Sequence, residues 1–363
     1  MVTLTSATGG IHPGTMGSEM ATFLVTGGAG YFGECLVRRL APSDAVIRLF
    51  DLNPLDGEFG SRVEIAQGDI RDADAILRAT QGVDYVLHNL AQVPLAKDRH
   101  LIQSVNVLGT KNMLEAALAA RVKKLIYIST SAVFGIPKSN PLTEASPPSP
   151  AELYGHAKLA AENLCIEYAA KGLDATIIRP RTIIGHGRLG IFQILFEWVF
   201  QGANVPVFNG GRNIFQFVHA DDLADAILAA CHRPGPTVYN CGAENYGTMR
   251  EVLEALCRHA GTGSQIRTLP LKPLRAAMHL ADALHLSPLA AYHALLYGES
   301  FYYDTSKLTR ELGWHARYSN DAMMVESYDW YVANREHIMQ QQRKSIHRSP
   351  VPPGILKLVS RML

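Results

Sequence analysis

The chain has no cysteine pair at CxxC spacing, no excess charge of either sign and no long apolar run, and each shortage closes a class. Its five cysteines (Cys35, Cys165, Cys231, Cys241 and Cys257) are scattered and odd in number. That argues against a disulfide framework, offers no metal site, and suits a reducing, cytoplasmic compartment. With 33 acidic residues against 34 basic ones the net charge is +1. There is no global field for nucleic acid, and no aromatic-basic interleaving supports such a partner. No stretch reaches the ~18 uninterrupted apolar residues of a membrane span. Residues 1–20 hold no Lys or Arg and are rich in Gly, Ser and Thr, so they lack the basic start of a signal peptide and are expected to form a loose tail.

What is present is a large apolar fraction, 47% of 363 residues, enough to build a sizeable core and to exclude disorder. From Ala21 onward short apolar runs alternate with helical patterns. Strands are expected at 21–25, 45–50, 63–67, 85–88, 124–129 and 174–178. Helices are expected at 34–40, 73–80, 99–121 and 153–170. This alternation predicts an α/β fold with a parallel sheet covered on both faces. The organisation read from it is a flexible tail (1–20), a main domain (21–180), a lobe interleaved with returning sheet elements (181–333), and a basic C-terminal tail (334–363). Ile191 to Phe200 is unusually apolar, and Pro270 to Leu296 reads as helix divided by prolines 273 and 288. The last segment combines Arg343, Lys344, Arg348, Lys357 and Arg361 with Ile355, Leu356, Leu358 and Val359. Such a segment docks on its own protein or makes a weak peripheral membrane contact.

Thr26-Gly27-Gly28-Ala29-Gly30-Tyr31-Phe32-Gly33 lies between the first strand and the first helix. Gly27 and Gly28 permit a tight turn, Gly30 lets a pyrophosphate approach the backbone, and Gly33 permits close helix packing; the helix N-terminus favours an anion. Alone this is a glycine-rich turn. Asp51, at the end of the second strand and about 20 residues after Gly30, changes the reading. Its carboxylate suits two ribose hydroxyls and repels the extra phosphate of NADP, which makes NAD the expected cofactor. Asp69 and Ile70 are placed beside the adenine, and Leu90, Ala91 and Gln92 beside the ribose.

Tyr154 and Lys158 stand at i,i+4 on one helical face. A phenol is a poor base at neutral pH, but a nearby ammonium stabilises its phenolate, so Tyr154 can exchange a proton with an alcohol while hydride moves to or from the cofactor. Lys158 can also hold the nicotinamide ribose. Ser129-Thr130-Ser131 follows the fifth strand and offers a hydroxyl to the substrate oxygen, and Asn106 can hold a proton-relay water.

These residues together resemble the extended short-chain dehydrogenase/reductase family in its NAD-dependent epimerase/dehydratase branch. The glycine motif, Asp51, Asn106-Val107-Leu108-Gly109-Thr110, Ser129 to Gly135 and Tyr154/Lys158 occur in the family's order, and the likeness runs from about Phe23 through Trp330. It implies a doubly wound Rossmann domain, a smaller C-terminal substrate domain and a homodimer. Aligned on Ala132-Val133-Phe134-Gly135, the family's catalytic hydroxyl falls on Thr130, with Ser129 and Ser131 as alternatives.

The leading expectation for substrate is a nucleotide sugar undergoing epimerisation. Two departures count against it: Thr182 replaces a family asparagine, and Phe215 replaces a uridine-binding arginine, with Arg181, Arg188 and Arg212 available to compensate. Gly210 to Phe217 is more similar to the 3-beta-hydroxysteroid dehydrogenase branch. There Ile191, Phe192, Leu195, Phe196, Trp198 and Phe200 line an apolar pocket covered by Leu271 to Leu296, suited to a sterol, isoprenoid or other apolar secondary alcohol. A nonenzymatic NAD sensor is the remaining class, and it has no need of Thr130, Tyr154 and Lys158 together.

Overall fold

The structure, a computed structural model, describes residues 20–53, 60–93, 98–269 and 298–340. Short runs rich in Val, Ile, Leu and Phe form the strands of a parallel sheet, because helices on both faces bury alternate side chains in opposite directions. Six strands come in succession: β1 (Thr22–Thr26), β2 (Val46–Asp51), β3 (Val63–Gln67), β4 (Tyr85–His88), β5 (Lys124–Ile128) and β6 (Ala175–Pro180). A seventh, β7 (Thr237–Cys241), returns later and pairs with β6. All pair in parallel, in the order β7-β6-β5-β4-β1-β2-β3. The doubly wound Rossmann sheet is therefore present, with its switch point between β1 and β4, where a crevice opens beyond the strand C-termini.

The helices are α1 (Tyr31–Leu40), α2 (Ala73–Thr80), α3 (Arg99–Gln103), α4 (Gly109–Ala119), α5 (Leu153–Ala170), α6 (Ile191–Phe200), α7 (Ala220–Cys231), α8 (Met249–Ala260), α9 (Ser306–Leu312) and α10 (Asn320–Gln340). Val25, Leu87, Ile126 and Ile178 face α1 and α7, joined there by Trp314. Their neighbours Leu24, Val86, Leu125 and Ile177 face α2, α4 and α5. A third core, containing Ile184, Phe196, Val205, Phe217, Leu253, Met323 and Tyr331, fills the smaller C-terminal lobe. Trp314 Nε1 donates to Asp222 O at 2.9 Å and ties the chain after α9 to α7.

Three local differences from the sequence reading bear on the site. Helix α1 starts at Tyr31, not Glu34, so the glycine turn feeds straight into it. The expected 99–121 helix is interrupted at Ser104–Leu108 by a wider π-helical turn, and there the Asn106 side chain is drawn to the backbone of the loop after β4. Helix α10 runs through residue 333 to Gln340, and its Arg335 pairs with the buried Glu197 at 2.6 Å. The expected helix at 270–296 and all but the first residues of the basic tail lie outside the described residues, as does nearly all of the 1–20 segment.

Candidate active site

The glycine turn sits at the switch point. Gly27 N–H donates to Phe50 O at 2.8 Å, which seats the turn on the end of β2. At Gly33 a Cβ would stand 2.2 Å from Gly27 O and 2.9 Å from Gly28 Cα, so only glycine lets α1 begin this close to the turn. Tyr31 and Phe32, in the first turn of α1, are buried against the sheet. The α1 N-terminus meets the crevice with backbone N–H groups and the positive end of the helix dipole.

Asp51 closes the other side of the turn. Its Oδ2 accepts from Ala29 N at 3.1 Å and its Oδ1 from Asn53 N at 2.9 Å. Asn53 Nδ2 also donates to Oδ1, at 3.3 Å. Of the carboxylate's about four acceptor sites one is left for a ribose hydroxyl, and a second opens when the Asn53 amide turns aside. These features fit a bound dinucleotide.

The flanking residues differ in their availability. Asp69 is engaged by Arg71, which donates to both of its oxygens; that hydrogen bonding, first among the causes, holds the Asp69 carboxyl below its usual range. Ile70 is buried against the start of α4, and its carbonyl accepts from Asn112 Nδ2 at 3.1 Å. Leu90, Ala91 and Gln92 are half-buried beside the turn, and Leu90 Cα lies 3.0 Å from where a Cβ on Gly27 would stand.

Asn106 reaches the same loop. Its Oδ1 accepts from Gln92 N at 2.7 Å and its Nδ2 donates to Gln92 O at 2.9 Å, so the buried amide pins the loop. Behind it runs a polar chain that the sequence reading missed. Leu90 N–H donates to Thr26 Oγ1, which contacts His88 Nδ1 at 2.8 Å; His88 Nε2 contacts Thr110 Oγ1 at 3.0 Å; and Thr110 Oγ1 donates to Asn106 O. Because Thr110 spends its proton on Asn106, His88 must carry its own on Nε2 and accept at Nδ1. Burial, reinforced by the charge of Lys158, pushes His88 down to about 3, so it is neutral.

Tyr154 and Lys158 lie in the first two turns of α5. At Gly155 a Cβ would stand 2.6 Å from Ala132 O, so glycine lets the helix start press against the Ser131–Phe134 turn, whose N-cap is Thr130. Thr130 and Tyr154 are half-buried, while His156, between the pair in sequence, is exposed. Lys158 is buried; its Nζ donates to Ile128 O at 2.7 Å and lies 4.5 Å from the Tyr127 ring centre. Burial pushes Lys158 down to about 8, against the opposing pull of Glu162.

Glu162 is the second feature missed. One turn beyond Lys158, it accepts from Ser129 Oγ at 2.5 Å and from Arg179 Nη2 at 2.6 Å. Ser129 is thereby engaged by Glu162 and Ser131 is buried in its turn, while Thr130 is half-buried. An acid four residues after Lys158, with an arginine ending β6, was the available signal.

The residues proposed to take over substrate recognition are distributed unevenly. Arg181 is buried, with its guanidinium carbon 3.7 Å from the Phe301 ring centre and 4.8 Å from that of Phe215. Phe215 therefore packs on one of the cations expected to compensate for the arginine it replaces. Phe192 and Phe196 belong to the lobe core, Ile191 and Leu195 pack against it, and Phe200 lies under Arg335. Leu271 to Leu296 fall outside the described residues.

A doubly wound sheet with a glycine turn at its switch point, an acid ending β2 and a Tyr-x-x-x-Lys helix after β5 is the construction of an extended short-chain dehydrogenase/reductase. The model of the NAD dependent epimerase/dehydratase family matches residues 23–242, and the chain belongs to that family. It is an NAD-dependent enzyme. The chain is 49% identical to the uncharacterized protein y4nG of Sinorhizobium fredii, over 95% of this chain and 87% of that one. It is 28% identical to the UDP-glucose 4-epimerase GEPI48 of Cyamopsis tetragonoloba (86% and 95%) and 29% identical to a 3 beta-hydroxysteroid dehydrogenase/Delta 5-->4-isomerase of Mycobacterium tuberculosis (93% and 97%). Among solved structures, the UDP-glucose 4-epimerase of Thermotoga maritima with UDP-glucose superposes with a TM-score of 0.72 at 22% identity, covering 86% of this chain and 99% of that one. Among the described residues no helix is long and apolar enough to cross a membrane, and no cluster of metal ligands is present.

Proposed function

We propose that the chain epimerises a nucleotide sugar by reversible oxidation of a ring hydroxyl. The Gly27–Gly33 turn, Asp51, Lys158 and the loop pinned by Asn106 would hold NAD, which would supply the hydride acceptor and donor. Thr130 positions the substrate hydroxyl. Tyr154 takes its proton and gives it back, and the ammonium of Lys158 stabilises the phenolate formed in between. The observation that carries the reading is that Ser129 is committed to Glu162 while Thr130 and Tyr154 stay half-buried across the Gly155 contact. Lobe 181–333 supplies the substrate side.

The apolar-alcohol reading, supported by the steroid dehydrogenase relative, is second because Phe192 and Phe196, two of the four α6 aromatics that were to line its pocket, are engaged in the lobe core. Small molecules released from the freshly purified enzyme and identified by mass spectrometry test the two, followed by turnover assays. Retained NAD and interconversion of UDP-sugars support epimerisation. Net NADH formation from an apolar secondary alcohol, with UDP-sugars inert, replaces it.

We also place the enzyme in the cytoplasm, on its five free thiols, and read it as a homodimer through α4 and α5, beside which Leu108 (47% exposed) and Ile166 (57% exposed) leave apolar surface. Light scattering at a dimer's mass supports this; a monomer's mass removes it. The weak membrane contact depends on residues 341–363, outside the described part.

A further inference from the structure

We propose that Arg188 forms an oxyanion subsite for a diphosphate, delivered from the C-terminal half of the chain to the mouth of the glycine turn. The inference rests on the NAD-dependent reading of this crevice and adds a residue to it.

Arg188 follows the strand Thr182–Ile184, on a loop turned by the hydrogen bond from Arg188 N to Gly185 O at 3.1 Å. The loop is anchored from α10: the Glu326 carboxylate stands 2.9 Å from His186 Nε2 and 2.8 Å from His219 Nε2. It also touches the first residue of α1, since a Cβ on Gly185 would stand 2.9 Å from the Tyr31 hydroxyl. The Arg188 guanidinium therefore lies over the Tyr31 ring, 5.5 Å from its centre. Its Nε is spent on Ile183 O at 3.3 Å, whereas Nη1 is sealed from solvent with no hydrogen-bond partner among the described residues. The Tyr31 hydroxyl is buried and unpartnered in the same way.

The Arg188 side chain is half-buried, and a guanidinium N–H sealed from solvent without an acceptor is costly. Burial pushes the Arg188 guanidinium below its usual range, while the phenols of Tyr31 and Tyr154 pull the other way. The charge stands against the first turn of α1, over the Tyr31 ring. An anion at the α1 N-terminus meets both the helix dipole and this guanidinium, whose planar fork suits two phosphate oxygens. The diphosphate is either the cofactor's or a nucleotide sugar's; the chemistry recognised is the same.

Calorimetric titration of wild type, R188M and R188K with NAD, with UDP on NAD-saturated enzyme, and with inorganic pyrophosphate tests the subsite. R188M should bind pyrophosphate, and either NAD or UDP, about 10- to 100-fold more weakly, with R188K intermediate. Loss toward NAD assigns the cofactor's diphosphate; loss toward UDP with NAD unchanged assigns the substrate's. Ligand-free R188M should melt no lower than wild type, because a desolvated charge has been removed. Equal affinities in wild type and R188M for all three probes, or no binding of any by wild type, overturn the subsite. So does an R188M that melts lower yet binds every probe normally. Failure of wild type to bind NAD, with pyrophosphate still held through Arg188, would instead sink the cofactor reading and leave the subsite standing.

Discussion

Lys158 and Glu162 stand one helical turn apart on α5, both buried, yet each is bonded to something else. Lys158 holds Ile128 O at 2.7 Å, and Glu162 is clamped by Arg179 at 2.6 Å and by Ser129 at 2.5 Å. The acid thus acts on the lysine through its field, and its own hydrogen bonds lock the helix to β5 and β6. One side chain fixes where the Tyr-Lys pair stands and how strongly its cation is held.

Glu162→Gln leaves the Arg179 cation buried with a neutral partner. Loss of one member of a buried pair costs about 3–5 kcal/mol, so urea unfolding should show a drop of that order. A stability within ~0.5 kcal/mol of wild type would remove the clamp from the account.

Activity should decline as pH rises through about 8, the value to which burial lowers Lys158. The groups facing it are Glu162 and Cys165 on its own helix, His88 on β4 and Tyr127 on β5. His88 is neutral throughout this range. Above that pH the ammonium is lost, and support for the Tyr154 phenolate goes with it. Stability moves the opposite way. The folded lysine titrates at about 8 and the unfolded one near 10.5, so between them this group holds more protons in the unfolded chain and its contribution to stability rises with pH. The burial penalty is present in full below about 8. Rate profiles and denaturation curves from pH 6 to 10.5 check both, the lysine's share being the difference between wild type and Lys158→Met, because the buried thiols of Cys165 and Cys231, pushed up by burial, pull stability down toward the alkaline end.

The sheet was readable wherever a short apolar run carried its own turn signals, as with β1 and its glycines. β7 was not: Thr-Val-Tyr-Asn-Cys has two polar residues in five, and it is a strand because β6 offers it an edge. The Tyr154/Lys158 pair and Asp51 stood out in the sequence because an i,i+4 spacing and an acid ending a strand are local patterns. The Glu162–Arg179 clamp and the Thr26–His88–Thr110 chain join residues far apart in sequence, and only the closed sheet brings them together. Asn106 was noticed for a water it was to hold, but the π-helical turn gives its amide to Gln92.

Tyr154→Phe removes the transferable proton and changes little else, because the helix start is held by Glu152 through the backbone N–H groups of Tyr154 and Gly155. Turnover should fall by about 10²- to 10⁴-fold, the usual contribution of a positioned acid-base group. NAD affinity by titration should stay within about twofold. Near-normal turnover would take the proton transfer away from Tyr154.

Asp51→Ala should lower the preference for NAD over NADP by about 10-fold or more, the loss of charge-assisted bonds to two ribose hydroxyls combined with relief of repulsion toward a 2′-phosphate. The substitution also strips an acceptor from Ala29 N and Asn53 N, so the turn itself loosens and the melting temperature should fall slightly. Asp51→Asn separates the two effects. It keeps an oxygen for one of those N–H groups but removes the charge, so stability should recover in part while cofactor discrimination stays weak. If Asp51→Asn discriminates between NAD and NADP as sharply as wild type, the carboxylate serves the turn alone and something else excludes the second cofactor.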